Sequence, residues 1–558
     1  MEKVQPRNEF TDSEFLACAM AAGPQGESVT ERSMDTTTPM LGERGRAGYR
    51  QWAGFVLMCL GMFMAILDIQ IVATSLPAIQ AALGIAPDQM VWVQTAYLTA
   101  EIVAIPLTGF LTARLGMRWL FVAAISLFTL ASIGCAASGG FAELVAWRIV
   151  QGFAGGTLIP AVFAAVFLLF PPRNQALATT IAGVAAVLAP TIGPIVGGWI
   201  TQSFSWHWLF RVNVLPGIIA GLGALYFLGG PAVGRRDRRR IDLVALALLA
   251  TALVALQIGL KDAPALGWAA PRVLGLIALA AAGAGGFVWR TLVSDAPVVE
   301  LRCFADRNFT IGCLLSFVLG FGLFGSTYLM PFFLGLVREH GPLRIGEIML
   351  VTGCTQLLTA PIAVYAERRV DPRLLTGFGF ALFAVGLLLS TRQTEQTDFA
   401  AMVVPQIVRG AAIMFCLLPP TRMALGRLPD RLVADGSGLF NLMRNLGGAV
   451  GLSLIDTTIF SHAKTAGTQI AEQLRAGDVA TAVRIGIPRE AFLEQRGQPI
   501  DDFATEMVRP LVERAALVPA VNMAWLLCGL LTLAALATLW WVRRTPIGAD
   551  PNASTAPE

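Results

Sequence analysis

The chain has 558 residues, 55% of them hydrophobic and 14% charged, with a formal net charge of +4. Soluble domains carry about 25% charged residues, so this composition argues against a soluble enzyme, a nucleic-acid binder and a disordered scaffold. The small positive surplus implies no anionic partner. The eight cysteines, at 18, 59, 135, 303, 313, 354, 416 and 528, show neither disulfide nor zinc spacing and read as small buried hydrophobes.

A helix that crosses a bilayer takes about 20 mostly apolar residues, and long apolar runs in lipid must be helical because their backbone groups have no water to bond. Fourteen such spans are predicted, at 53–75, 91–112, 119–137, 144–168, 177–200, 208–230, 242–260, 273–291, 309–335, 346–366, 375–390, 400–421, 436–460 and 519–542. The leader before the first is too long and polar for a signal peptide. Residues 1–52 are expected to form a disordered cytoplasmic tail, with Met34 and Met40 as alternative starts. Lys and Arg set the orientation. With the first segment inside, the inner segments hold 22 Arg and the short outer loops hold only Lys261, Arg272, Arg338, Arg344 and Arg392. Both termini are thus expected in the cytoplasm. The segment 461–518 lies outside, with helix-like stretches at 468–476 and 503–517.

The chain repeats itself. Pro106, Arg114 and Arg118 match Pro361, Arg369 and Arg373 at an offset of 255, and Ile149-Val150-Gln151-Gly152 matches Ile407-Val408-Arg409-Gly410 at 258. Matched helices of like direction imply two parallel halves about an axis along the membrane normal. The expected organisation is an N-terminal six-helix bundle at 53–230 and a linker with two extra membrane helices at 231–308. A C-terminal six-helix bundle at 309–545 follows, including the periplasmic loop 461–518, and then a cytoplasmic tail at 546–558.

Charges inside the spans are the functional candidates. At a rise of about 1.5 Å per residue, Asp68 lies about 9 Å below the outer end of its span and Arg148 about 7 Å below that surface. Their depths match, so they can pair, either as a fixed structural bond or as a titrating one. Arg148 alone has a simpler reading, snorkelling to the interface. Glu101 sits about 15 Å deep. A carboxylate there is costly when ionised; it is a proton carrier or a neutral acid bonded to a neighbouring helix. In the second half Arg409, Arg444 and Asp456 are structural partners or cavity residues. Pro190, Gly193, Pro194, Gly197 and Gly198 permit bending and close backbone approach, as a packing seam also would. His207, His340 and His462 make no cluster, so no metal is expected. Walker loop and nucleophile elbow are both lacking, so no cofactor or catalytic residue is assigned.

Several runs carry a resemblance. Arg148-Ile149-Val150-Gln151-Gly152 resembles the RxxQG motif of the major facilitator superfamily, tied there to proton coupling. Ala189-Pro190-Thr191-Ile192-Gly193-Pro194-Ile195-Val196-Gly197-Gly198 resembles its antiporter motif. The segment 65–77 around Asp68 resembles the first-helix signature of the fourteen-helix drug:proton antiporters (EmrB/QacA type), with Gln70 and Ala73 where Thr or Ser and Asn are usual. Gly109, Arg114, Gly116 and Arg118 resemble the conformational loop between helices two and three, with Ala113 in place of the usual Asp; the two arginines bind inner loops or merely follow the inside bias. Arg444 within 441–448 resembles helix thirteen. Covering roughly 53–545, the resemblance implies an all-α membrane protein with a major facilitator fold, two six-helix bundles rocking about a central cavity, plus two inserted helices. It implies multidrug efflux, an export of hydrophobic or amphiphilic compounds across the inner membrane in exchange for protons, with antibiotic resistance as the outcome. The implied partners are small-molecule substrates, protons and the lipid bilayer, with no nucleic acid. Relatives in double-membraned bacteria add a periplasmic adaptor and an outer-membrane channel. The alternatives are a dedicated exporter of one metabolite or siderophore, and a non-transporting scaffold or sensor.

Overall fold

Backbone groups taken out of water must find partners within their own segment, and the described chain meets that demand with helices alone. The computed structural model describes residues 48–85, 87–228, 242–294, 297–367, 369–494 and 502–542, with no strand among them. The helices are α1 (Tyr49–Leu83), α2 (Pro87–Ala104), α3 (Thr108–Leu115), α4 (Met117–Ala137), α5 (Phe141–Leu169), α6 (Pro172–Ser203), α7 (Trp208–Arg211), α8 (Val214–Phe227), α9 (Leu243–Leu266) and α10 (Pro271–Val293). They continue with α11 (Arg307–Leu336), α12 (Pro342–Glu367), α13 (Pro372–Leu389), α14 (Phe399–Leu425), α15 (Asp430–Arg475), α16 (Val479–Arg484), α17 (Arg489–Glu494) and α18 (Asp502–Ala534).

Among the described residues, 13 helical segments are long and apolar enough to cross a membrane. The fourteenth predicted span, 436–460, lies in α15, which is 46 residues long and too polar to qualify. It is sheltered instead: Gly447 and Gly451 bring its backbone onto Phe317 and Phe321 of α11, and α18 packs beside it. The expected stop at 460 is corrected, since the helix runs on without a break to Arg475. The span predicted at 208–230 is interrupted, α7 and α8 being separate helices. The first helix begins at Tyr49, before the expected boundary at 53. Residues 1–47, 229–241 and 543–558 lie outside the described residues.

The two halves repeat one packing scheme. In the first, α1 packs on α6, α8 and α5, α2 on α5, and α4 on α5 and α8. In the second, α11 packs on α15, α18 and α14, α12 on α14, and α13 on α14 and α18. Across the halves α6 meets α12 and α14, while α15 meets α3 and α5. Helices α9 and α10 form a hairpin held by ion pairs at both ends, Arg290–Asp242 at 2.7 Å and Arg272–Asp262 at 3.0 Å. Asp242 also caps α9 by accepting from the Val244 and Ala245 amides. The hairpin lies over α2 and α15, fastened by Trp268 Nε1 donating to Thr457 Oγ1 at 3.0 Å and Ser453 Oγ donating to the Leu260 carbonyl at 2.7 Å.

The face where α1 begins is called proximal here and the opposite one distal. On the distal face the turn after α11 is tied to the start of α14: Arg338 and His340 both reach Asp398, at 3.2 and 3.1 Å, while Asp398 accepts from the Phe399 amide at 2.7 Å. That amide first, then His340 and Arg338, hold the Asp398 carboxyl down at about 2. A free Asp titrates near 3.9, so this contribution to stability is full at neutral pH and fades as pH falls through the folded value. Asp398→Asn keeps the helix cap and removes the charge. Its melting temperature should fall below that of the unmodified protein at pH 7, with the gap closing as the pH is lowered toward about 2, as thermal unfolding of the detergent-solubilised protein will record.

Candidate functional site

Asp68 on α1 and Arg148 on α5 are both at 0% exposure, and Arg148 Nη1 lies 2.5 Å from Asp68 Oδ2. A buried ion pair persists only if its remaining polar atoms are also satisfied, and here nearly all are. Asp68 Oδ1 accepts from Gln151 Nε2 at 3.1 Å and from Asn213 Nδ2 at 2.7 Å. Arg148 donates from Nε to the Val93 carbonyl at 3.1 Å and from Nη1 to Gln151 Oε1 at 2.7 Å. Gln151 Nε2 also donates to Ser132 Oγ at 2.9 Å. The guanidinium lies 4.3 Å over the Tyr97 ring and 5.8 Å from that of Phe210; its Nη2 has no hydrogen-bond partner. Arg148 therefore does not snorkel. The network joins α1, α2, α4, α5 and the start of α8.

The glycines beside Arg148 make this approach possible. A Cβ at Gly152 would overlap the Tyr97 carbonyl, and one at Gly156 the Glu101 carbonyl, so α5 lies backbone to backbone against α2. Gly155 faces the Tyr97 hydroxyl, which donates to the Ala65 carbonyl of α1 at 3.2 Å. Glu101, one turn beyond Tyr97, is 4% exposed. Among the described residues it has neither a hydrogen bond nor an ion pair, and the charges acting on it are those of Arg148 and Asp68. It is not the acid bonded to a neighbouring helix that one reading expected.

The Pro/Gly run of α6 faces two ways. Gly193 receives Gln70 of α1, and Ser75 Oγ donates to the Gly197 carbonyl at 3.4 Å. On its other side Thr191 and Ile195 fill the spaces over Gly353 and Gly346 of α12, in the other half. Pro190 and Pro194 interrupt the helix ladder between these contacts, and Gly198 continues the run. Pro190 and Thr191 also line a cavity of about 40 Å³ together with Arg409 of α14.

The remaining candidates lie apart from the ion pair. Arg444 is within α15, bonded to Asn441 Oδ1 and 5.4 Å from the Phe163 ring of α5. Asp456 accepts from the Tyr328 hydroxyl at 2.7 Å. At the proximal face Gly109 lies directly against Asp435 of α15, so an acid meets this loop from the other half where Ala113 offers none. Gly116 joins α3 to α4 at a φ of 79°, a conformation that favours glycine. Arg118 donates to the Leu225 carbonyl at 2.6 Å, and Arg114 is exposed above the Phe110 ring. Among the described residues no three metal-ligating side chains gather.

Asn213, Ser132 and Gln406 are participants that the sequence reading did not single out. Asn213 has a signal in retrospect: it is a polar residue at the break between α7 and α8.

The family described as Major Facilitator Superfamily matches residues 58–452. The chain is 38% identical over 413 residues to the colistin resistance protein EmrB of Acinetobacter baumannii, covering 73% of this chain and 80% of that one. It is 30% identical over 497 residues to the multidrug export protein EmrB of Escherichia coli (strain K12), covering 88% and 95%. The crystal structure of the human organic anion transporter MFSD10 (TETRAN) aligns with a TM-score of 0.55 at 15% identity, over 86% of this chain and 99% of that one, which bears on the fold alone. These matches make the chain a multi-pass transporter of small molecules rather than an enzyme. The chain belongs to the major facilitator superfamily and, within it, to the EmrB type.

Gly152→Leu should separate α2 from α5 and reduce the yield of monodisperse protein at least fivefold. Gly139→Ala, where the added carbon meets open space, should leave it unchanged. Fluorescence size-exclusion chromatography of the detergent extracts compares the two.

Proposed function

We propose that this transporter is a proton-coupled antiporter that exports hydrophobic or amphiphilic compounds, a multidrug efflux protein of the inner membrane with both termini in the cytoplasm. Export and resistance are what the names of its two relatives say of them. The observation that carries proton coupling is the fully enclosed Asp68–Arg148 pair. The arginine bias makes the proximal face cytoplasmic. Residues 53–230 and 309–545 act as the two moving bodies, with 231–308 linking them.

A proton entering from the distal side binds Asp68 Oδ2, and the attraction for Arg148 is lost. Arg148 keeps the Val93 carbonyl, Gln151 Oε1 and the Tyr97 ring, so the bond between α1 and α5 is the one that weakens. Helix α1 carries the change onward. Gln70, two residues past Asp68, is seated on Gly193 of α6, and α6 in turn meets α12 at Gly353 and Gly346. Protonation thus biases the contact between the halves, and the cavity lined by Pro190 and Arg409 lies beside it. Antiport requires only that proton and substrate favour different states. Glu101, buried near the pair, provides a second protonation site. Arg114 and Arg118 steady the cytoplasmic loop between α2 and α4, and Gly109 with Asp435 closes the halves there. Arg444 and Asp456 act as positioning residues for α15.

Beyond the distal face, the ends of α15 and α18 enclose a small core of their own, Ile470, Ile485, Ala515 and Ala516. This outer knob is the docking point for a periplasmic adaptor and, through it, an outer-membrane channel.

Asp68→Asn and Glu101→Gln should each lose at least tenfold in efflux driven by an imposed pH gradient in proteoliposomes, with substrate binding retained. Undiminished transport by both variants would end the proton-coupling proposal. Gly353→Leu should block α6 from α12 and abolish transport while leaving membrane insertion intact, as a protease-protection assay will show.

A further inference from the structure

The two halves share a repeat, but differ at the place of the ion pair. At an offset of 258, the positions of Arg148 and Gln151 in α5 are held in α14 by Gln406 and Arg409, the same two residue types in exchanged order. Both pairs are three residues apart and share a helix face. The acid is not repeated. Offsets of 255 to 258 carry Asp68 onto Leu323, Phe324, Gly325 and Ser326 of α11, none of them acidic.

The consequence is visible in the cavity. Arg409 is 4% exposed, and Gln406 is fully buried. Among the described residues Arg409 makes no ion pair, its Nη1 has no hydrogen-bond partner, and one face is covered by the Trp525 ring at 5.2 Å. Thr352 Oγ1 donates to Gln406 Oε1 at 3.0 Å, which fixes the amide and leaves Gln406 Nε2 without a partner. A buried cation lacking a counter-ion is costly, and here it borders open space with a second unused donor beside it. No acidic side chain lines the cavity; Leu323, Met349, Ile413 and Pro190 supply an apolar wall. A volume of about 40 Å³ suits a head group, with the rest of a molecule between the halves.

We propose that Arg409 and Gln406 form a subsite for the carboxylate of an amphiphilic organic acid, so that the substrate supplies to α14 the negative charge that Asp68 supplies to α5. Guanidinium and amide donors three residues apart match the two oxygens of a carboxylate. This rests on the efflux reading and names a substrate class for it.

The test uses the full chain in lipid nanodiscs and three probes: dansylated undecanoate, its methyl ester, and ethidium. Fluorescence titration should show the acid bound at least tenfold more tightly than the ester. Arg409→Gln should erase that preference, Arg409→Lys should retain part of it, and Thr352→Val, which frees the Gln406 amide, should weaken it severalfold. Ser326→Asp, which builds a carboxylate beside the guanidinium, should remove the preference while raising the melting temperature. If Arg409→Gln keeps the acid preference, or loses acid and ester binding equally, the subsite is overturned. Efflux of the ester and of ethidium by the unaltered protein under a pH gradient tests export separately; its absence would overturn the efflux reading while leaving the binding preference measured by titration as it stands.

Discussion

The arrangement of the first half depends on one buried bond. Asp68 and Arg148 have no contact with solvent, and breaking a pair of this kind by removing one partner costs about 3–5 kcal/mol because an uncompensated charge remains. What makes the pair tolerable is its surroundings. Gln151 bonds to both partners, Asn213 completes the carboxylate, and the Tyr97 ring covers the guanidinium. These side chains come from four segments, so the pair also sets how those segments stand to one another. A bond with that reach ties the packing of several helices to one pair of charges.

Close backbone approach is the second condition. Lipid offers helices no hydrophobic reason to associate, and small residues at the seams let dispersion forces act at short range. The chain uses this device in each half and between them: Gly152 and Gly156 on α2, Gly447 and Gly451 on α11, Gly346 and Gly353 beneath α6. The seam of α6 on α12 differs in kind: it sets single side chains, Thr191 and Ile195, against the glycines Gly353 and Gly346, whereas α15 meets the first half through shared buried apolar residues.

Much of this was legible in the residues. Apolar length located the crossing segments, and the internal repeat anticipated the matching packing of α5 on α2 and of α14 on α12. Helical rise alone placed Asp68 and Arg148 at one depth. The features that escaped have physical reasons. Asn213 lay inside an apolar run read as a single span, and only the break between α7 and α8 turns it toward Asp68. Asp435 faces Gly109 from more than three hundred residues away, and no local pattern announces such a meeting. The end of α15 was set at 460 because apolarity stops there, whereas a helix can continue in water on propensity and on packing with α18. The roles of the charged residues follow from chemistry and proximity, which the sequence supplies only in part.

The uninterrupted course of α15 has a mechanical meaning. Its 46 residues make a rod about 69 Å long, rooted among the helices at one end and carrying the outer knob at the other. Pivoting near its middle, such a rod turns a tilt of about 10° into a sweep of about 6 Å at each tip. A tilt of the packed part of the rod would in this way be delivered to its far end.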